Sequence, residues 1–332
     1  MIPSFERVAD NPVISPDPSS VFDCPMRGRS IHWEALHTFS PAAVVKDGKV
    51  YVLYRAEDDT GEMKIGAHTS RLGIAVSEDG IHFQREKEPV FFPADDGQKE
   101  NEWDGGCEDP RIVETNDGSY VLTYTQWNRK QAHLAVATSR DLRNWTKHGP
   151  AFPGAQSVKY TKSGSIVCSF VDGRLVATKV NGKYLMYWGF HDIQLAVSND
   201  LITWDPGTIV LPKRTGMFDS SVTEAGPPAV ITRDGIVLLY NGSACVDHSA
   251  KKQNIYGAGC AIFDRNDPSR CIARSDDMFF KPEMPYEKTG QYLAGDIFFV
   301  GMVYFREKWF VYYGGTDKYV AVAIANALPT LR

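Results

Sequence analysis

The sequence predicts an all-β fold, a five-bladed β-propeller, with residues 1–332 forming one domain. Three observations carry this reading. A turn followed by an alternating, aromatic-rich strand recurs five times. A second turn motif follows it in the first three units and decays in the fourth. Helical periodicity is nearly absent, and Pro and Gly punctuate every candidate window. Repetition of one supersecondary unit is the mark of stacked or radial architectures, and short strands repeated about an axis leave few open edges. Two β-sandwiches are the competing all-β arrangement, and a fivefold module weighs against them.

The first module reads KDGKVYVLYRA from Lys46, NDGSYVLTYT from Asn116, VNGKYLMYWG from Val180 and RDGIVLLYNG from Arg233. A weaker fifth copy, FREKWFVYYGG, starts at Phe305. DG and NG between alternating hydrophobics are strong hairpin signals, because both central residues tolerate positive φ. The second module reads SEDGIHF at Ser77–Phe83, SRDLRNW at Ser139–Trp145, SNDLITW at Ser198–Trp204 and a degraded RSDDMFF at Arg274–Phe280. Short strands precede it: LGIAV, LAVAT and QLAV. The fifth unit keeps only the strand YVAVAIA from Tyr319.

Composition narrows the function. Lys plus Arg is 36 and Asp plus Glu is 41, a net charge of −5, which argues against nucleic acid as a partner. The longest apolar stretch, Phe298–Phe305, is far short of the ~18 residues of a membrane helix, so no membrane partner is expected. Six scattered cysteines make no zinc spacing and no disulfide framework, and are expected to be buried thiols. The N-terminus lacks the basic and apolar regions of a signal peptide. It reads as cytoplasmic, or as periplasmic if a leader has been trimmed. Nothing in the sequence marks an oligomer interface. The matches to N-x-S/T at Asn144 and Asn241 are short enough to arise by chance.

P-loop, HExxH, GxSxG and GxGxxG signatures are missing. Acid–Arg clusters at strand ends stand out instead, and in a propeller such residues converge on an axial funnel. YRAEDD (54–59) closes the first hairpin strand, and GGCEDPRI (105–112) opens the second unit. In the latter, Pro110 is expected to hold Asp109 extended. Asp109 could be a general acid, and Arg111 could orient sugar hydroxyls. A structural Glu108–Arg111 pair is the plainer alternative. Glu224 falls in TEAGPPA, expected to be a rigid loop, where it is either a surface acid or functional. Asp317 follows Tyr312-Tyr313-Gly314-Gly315 and could simply cap a turn. His191 and Asp192 follow Tyr187-Trp188-Gly189, and neighbours on an extended segment point to opposite faces, which disfavours a joint metal site.

Together, FSPAAVVKDGKVYVLYRAED, SRLGIAVSEDGIHF, GGCEDPRI, LAVATSRDLRNW, NGKYLMYWG, TEAGPPAV, YEKTGQ and YYGGTDKYVAVA resemble glycoside hydrolase family 130, the β-mannoside phosphorylases and β-1,2-mannosidases. The resemblance runs from about Asn11 to Ala327 and implies a five-bladed propeller. It implies Asp109 as general acid, its proton reaching the glycosidic oxygen through a hydroxyl of the bound mannose. It places Arg55, Arg111 and Asp317 around the mannose, and Tyr286, Glu287 and Asp296 in a matching segment. It implies no metal or organic cofactor and a β-mannoside oligosaccharide as ligand.

One departure bears on the reaction. Trp188-Gly189 stands where the phosphorylases carry His-Arg, and the segment from Lys162, KSGSIVCSF, differs from their lysine-containing run. Without its cations a phosphate pocket binds weakly, because Arg–phosphate pairing is charge-assisted. Glu224 instead supplies a carboxylate. The pattern is similar to the hydrolytic members and implies inverting hydrolysis of β-1,2 or other β-linked mannosides. Asp109 is then the acid and Glu224 the base, with His191 or Asp192 assisting. Such a reaction wants the acid's pKa raised, by burial or a neighbour such as Glu108, and the base ionised. A phosphorylase making mannose 1-phosphate, its anion held by Lys162, His191 or Arg214, is the first alternative. A non-catalytic sugar-binding propeller is the second.

Overall fold

A computed structural model describes residues 4–154, 160–248 and 251–328. The DG and NG turns nucleate antiparallel hairpins, and the hairpins assemble into five blades about one axis. Blade one comprises strands His37–Lys46, Lys49–Glu57, Ser70–Ser77 and Gln84–Arg85. Blade two comprises Gly106–Glu114, Tyr120–Trp127, Ala132–Ser139 and Trp145–Pro150. Blade three runs from Gly164–Val171 through Tyr184–Trp188 and Ile193–Ser198 to Trp204–Leu211. In blade four the inner strand is broken by Gly226-Pro227-Pro228 into Val222–Ala225 and Ala229–Thr232; Gly235–His248, Lys251–Phe263 and Cys271–Arg274 follow. Blade five is Ile297–Phe305, Lys308–Gly315 and Tyr319–Ala325. Its outermost strand is the N-terminal Glu6–Arg7, which closes the ring.

The repeats act through shared hydrogen bonds. Ser77, Ser139 and Ser198 each accept from the amides two and three residues on. Asp79, Asp141 and Asp200 do the same. The fourth turn residue must then be left-handed: Gly80 at φ 80°, Leu142 at 69° and Leu201 at 68°. In the first-module turns, Asp47-Gly48 and Asn181-Gly182 both have positive φ, as do Arg306 and Glu307 in the fifth, which lack glycine. One buried tyrosine per blade (Tyr54, Tyr124, Tyr187, Tyr240, Tyr312) spends its hydroxyl on an acceptor from another segment, as a buried phenol must.

Buried apolar side chains of the described residues form five clusters, one between each pair of neighbouring blades. Leu53 and Leu122 meet between blades one and two, and Val113 and Met186 between two and three. Tyr187 and Leu238 meet between three and four, Val237 and Val311 between four and five, and Val52 and Phe310 between five and one. Apolar burial therefore glues blades sideways and leaves the axis to polar groups.

The inner strands are irregular at the axis. Register shifts interrupt those of blade one between Phe39 and Ala42, blade two between Glu108 and Arg111, and blade five between Phe299 and Gly301. Bulges re-aim side chains and recur beside active sites. At Gly106 the blade-two strand passes so close to blade one that a Cβ would lie 2.2 Å from the Ser70 carbonyl oxygen.

Candidate active site

Polar residues from all five inner blade edges line one cavity of about 250 Å³ at the funnel end. Arg55, Glu57, Glu108, Asp109, Lys162, Glu224, Asp296 and Asp317 supply its charge. The sequence-expected Arg55, Glu108, Asp109, Glu224, Asp296 and Asp317 are thus brought together.

Asp109 sits on the blade-two bulge with φ 47°, left-handed rather than extended as Pro110 suggested. The bulge is the reason: it turns the carboxylate out of the strand plane and onto the axis. There Oδ1 accepts from Arg55 Nη1 (3.0 Å) and Ser40 Oγ (3.0 Å), and Oδ2 from Lys162 Nζ (2.9 Å). Burial pushes the Asp109 carboxyl up, but Lys162, then Arg55 and Arg111, outweigh it and hold it far below the usual carboxylate range. The raised carboxyl is its neighbour. Burial, opposed by Arg55 and reinforced by Asp109, pushes Glu108 up to about 7. The expectation of a raised pKa on Asp109 itself is corrected: two cations reach Asp109, whereas Glu108 shares Arg55 Nη2 (2.8 Å) with Glu57 (2.7 Å).

Glu224 lies not on a loop but on the strand Val222–Ala225, opposite Asn241 on one side and Phe190 on the other. Its Oε1 accepts the Ser163 hydroxyl. Burial pushes the Glu224 carboxyl up, against Lys162, Arg111 and the Ser163 bond. Adjacent residues Lys162 and Ser163 therefore hold Asp109 and Glu224 respectively, fixing the two carboxylates across the funnel.

Asp296 is 1% exposed, and neither carboxylate oxygen makes a fully formed hydrogen bond. Burial, then the Asp317 carboxylate, drives it well above the usual range, the Asp317 amide opposing. Asp317 itself, in the hairpin turn at φ 50°, is pushed up to about 7 by burial, Arg55 opposing.

Other expectations are corrected. Arg111 lies behind the wall, donating to the carbonyls of Asp109 (3.0 Å), Ala225 (2.8 Å) and Gly226 (3.4 Å). It ties the Asp109 strand to the Glu224 strand and faces no ligand space. The bulge between Glu108 and Arg111 breaks the alternation that would have put Arg111 beside Asp109. Trp188 belongs to the blade-three core, its Nε1 donating to Pro206 O (2.8 Å) and its ring 4.5 Å from Phe152. His191, at φ 92°, is exposed and Asp192 accepts the Lys213 amide (2.8 Å); it is Phe190 that faces the cavity. Tyr286 meets Tyr313 (3.2 Å), and Glu287 takes Arg7 Nε (2.7 Å), so this segment clamps the N-terminal strand. Arg214 serves Asp219.

Sequence reasoning missed Ser40, Glu57 and Ser163, and the aromatic lining of Trp127, Tyr160, Tyr256, Tyr292 and Phe298. Glu57 was visible inside YRAEDD; the hydroxyls carried no signal. Among the described residues one group could hold a metal, His37, Glu57 and His68, with ligand atoms within 4.8 Å. Glu57 is already committed to His37 Nδ1 (2.7 Å) and Arg55, and burial of this carboxyl is outweighed by Arg55 and His37, which hold it at about 2. These groups serve as the shell that orients Arg55.

Carboxyl groups gathered with Arg55 and Lys162 at the axis of a propeller form a cleft that can bind and protonate a polar ligand. The sequence profile of glycoside hydrolase family 130, described as β-1,4-mannooligosaccharide phosphorylase, matches residues 4–328. The chain belongs to this family. It is 32% identical over 324 residues, 96% of each chain, to a 1,2-β-oligomannan phosphorylase of Thermoanaerobacter sp. (strain X514). It superposes with TM-score 0.93 and 51% identity on a glycosyl hydrolase from Bacteroides ovatus, covering 100% of this chain and 96% of that one. A second solved structure, also at TM-score 0.93, is 50% identical with 100% and 96% coverage. It comes from work describing glycoside hydrolases of the family that target β-1,2 mannosidic linkages in Candida mannan.

Proposed function

We propose that this protein is an inverting glycoside hydrolase that releases mannose from β-1,2-linked mannosides, with Asp109 as acid and Glu224 as base. The observation that carries this is the charge balance of the cavity. Its two lining cations among the described residues, Arg55 and Lys162, are both engaged by carboxylates, and six carboxyl groups surround them. A phosphate dianion would meet no free cation, whereas water needs only a base. The likeness to solved structures described as hydrolases, at 50–51% identity, supports the same reading over the 32% likeness to a phosphorylase.

In the reaction, water oxygen bonds to the anomeric carbon on the face opposite the leaving group, and its proton passes to Glu224. The glycosidic C–O bond breaks, and the leaving oxygen takes a proton from the Asp109 side, directly or through a mannose hydroxyl. Burial and the Asp109 charge push the neighbouring Glu108 carboxyl up to about 7, which supplies an acidic proton beside Asp109 on the same bulge. Raised basicity suits Glu224, since a base works best with its pKa near the operating pH.

Lys162 favours the phosphorylase as second reading, because it is a cation inside the funnel whose ammonium, bonded to Asp109, has further N–H donors to offer phosphate. Product analysis on β-1,2-mannobiose with and without inorganic phosphate decides. Mannose formed without phosphate, and lost in Glu224→Gln, is the expected result. Phosphate-dependent mannose 1-phosphate overturns it.

A further inference from the structure

The cavity's charged floor gives way to an apolar rim. Tyr160 is 51% exposed and Ile65 55% exposed, yet both line the same cavity as Asp109. Large apolar side chains left in water at the mouth of a polar pocket mark a contact surface. Trp127 lies behind them, its ring 6.5 Å from that of Tyr160 at 33°. Its Nε1 donates to Gly66 O (3.0 Å), fastening the Ile65 loop to blade two. The platform is therefore preorganised.

We infer that Trp127, Tyr160 and Ile65 form the subsite for the leaving-group sugar, and that the enzyme selects a saccharide rather than a compact aglycone at that position. This rests on the hydrolase reading above. Tyr160 and Lys162 are two apart on an extended segment, so they share a face, about 7 Å apart at about 3.3 Å per residue. Lys162 touches Asp109 (2.9 Å), which marks the reacting end. One step outward along the same segment lies an exposed aromatic face. The buried Asp109, Glu224 and Asp296 line this cavity together with the exposed Tyr160 and Ile65, so a terminal mannose fills the buried end and the rest of the chain meets the rim. An apolar sugar face against an aromatic ring buries area there without asking for further hydrogen bonds.

The test compares kcat/KM on β-1,2-mannobiose with that on β-mannosyl fluoride, which carries no leaving-group sugar. In Tyr160→Ala the mannobiose-to-fluoride ratio is expected to fall about tenfold, the worth of one aromatic contact, while Tyr160→Phe keeps it. An unmoved ratio in Tyr160→Ala, or an equal fall in Tyr160→Phe, overturns the stacking subsite and leaves the hydrolase standing. If neither substrate turns over, the hydrolase reading fails. The platform is then judged by calorimetric binding of β-1,2-mannobiose: weaker in Tyr160→Ala supports it, unchanged overturns it.

Discussion

Glu224→Gln separates a catalytic base from a packing residue, because the two roles predict opposite effects on stability. A positioned general base contributes about 10²–10⁴ in rate, or about 2.7–5.4 kcal/mol of barrier at about 1.36 kcal/mol per decade. That loss is expected in kcat/KM on β-1,2-mannobiose. Stability should move the other way. The buried Glu224 carboxyl titrates above its ordinary value even with Lys162 and Arg111 near it, so the folded protein holds this proton more tightly than the unfolded chain. Its ionised form therefore costs stability: nothing below the unfolded pKa of about 4.3, and the full amount above the folded pKa. A displacement of one pH unit is worth about 1.4 kcal/mol. The amide stands in for the protonated acid and keeps the Ser163 partner. The variant should unfold at the same or a higher temperature than the wild type at pH 8, the advantage vanishing near pH 4. Azide supplies the confirming assay, since it attacks the anomeric carbon without a base and should restore turnover as α-mannosyl azide. Activity within tenfold of wild type would place the base elsewhere. Lost activity accompanied by a fall of more than about 1 kcal/mol in stability at pH 8 would make Glu224 a structural residue.

Three further outcomes are expected. Glu108 and Asp317 titrate near 7 in the folded protein, so their contribution favours folding below about pH 4 and is lost as pH rises towards 7; Glu57, held at about 2, loses its contribution as pH falls from about 4. Thermal midpoints across pH should therefore decline from pH 5 to 8, and Asp317→Asn should flatten that decline; a steeper one would contradict the sign. Trp188→Phe loses the bond to Pro206 and should cost about 1–3 kcal/mol in urea unfolding while KM for β-1,2-mannobiose stays within about twofold, whereas a tenfold rise would return Trp188 to the sugar site. Replacing Arg306-Glu307 by Asn-Gly removes two side chains poorly suited to φ 48° and 63° and should add about 1 kcal/mol; a lower urea midpoint would refute the turn-strain reading.

The fold was legible because each blade writes its own turn chemistry. Asp47-Gly48 and Asn181-Gly182 fix hairpins locally, and Ser77–Asp79 and its copies close the next turn within a few residues. Charges that interrupt apolar strands also pointed to the funnel: Arg55, Glu108, Asp109, Glu224, Asp296 and Asp317 all line it. What could not be read was which way a residue faces once the strand is irregular. One bulge sends Asp109 to the axis and Arg111 behind it. At Phe190-His191 the backbone turns left-handed, with His191 at φ 92°, and the tempting histidine is left in water against the Phe190 ring that lines the cavity. Tyr286 and Glu287 looked like site residues, yet Glu287 answers to Arg7, 280 residues away, and no local pattern announces a ring closure of that span.

On the hydrolase proposal, the same charge arrangement is what disfavours phosphate as the acceptor. To bind the anion, Lys162 would divide its donors between Asp109 and phosphate, and Arg55 would give up contacts to Asp109, Glu108 or Glu57. Each contact that phosphate drew from Arg55 would weaken a buried ion pair, and the Glu224 carboxylate would repel the anion as well. Water incurs no such penalty. It needs the base we propose in Glu224 and the field that Lys162 and Arg55 already set. By bonding the carbonyls of Asp109 and of Ala225 beside Glu224, Arg111 fixes the spacing of the two strands that carry the acid and base of the proposed inverting reaction.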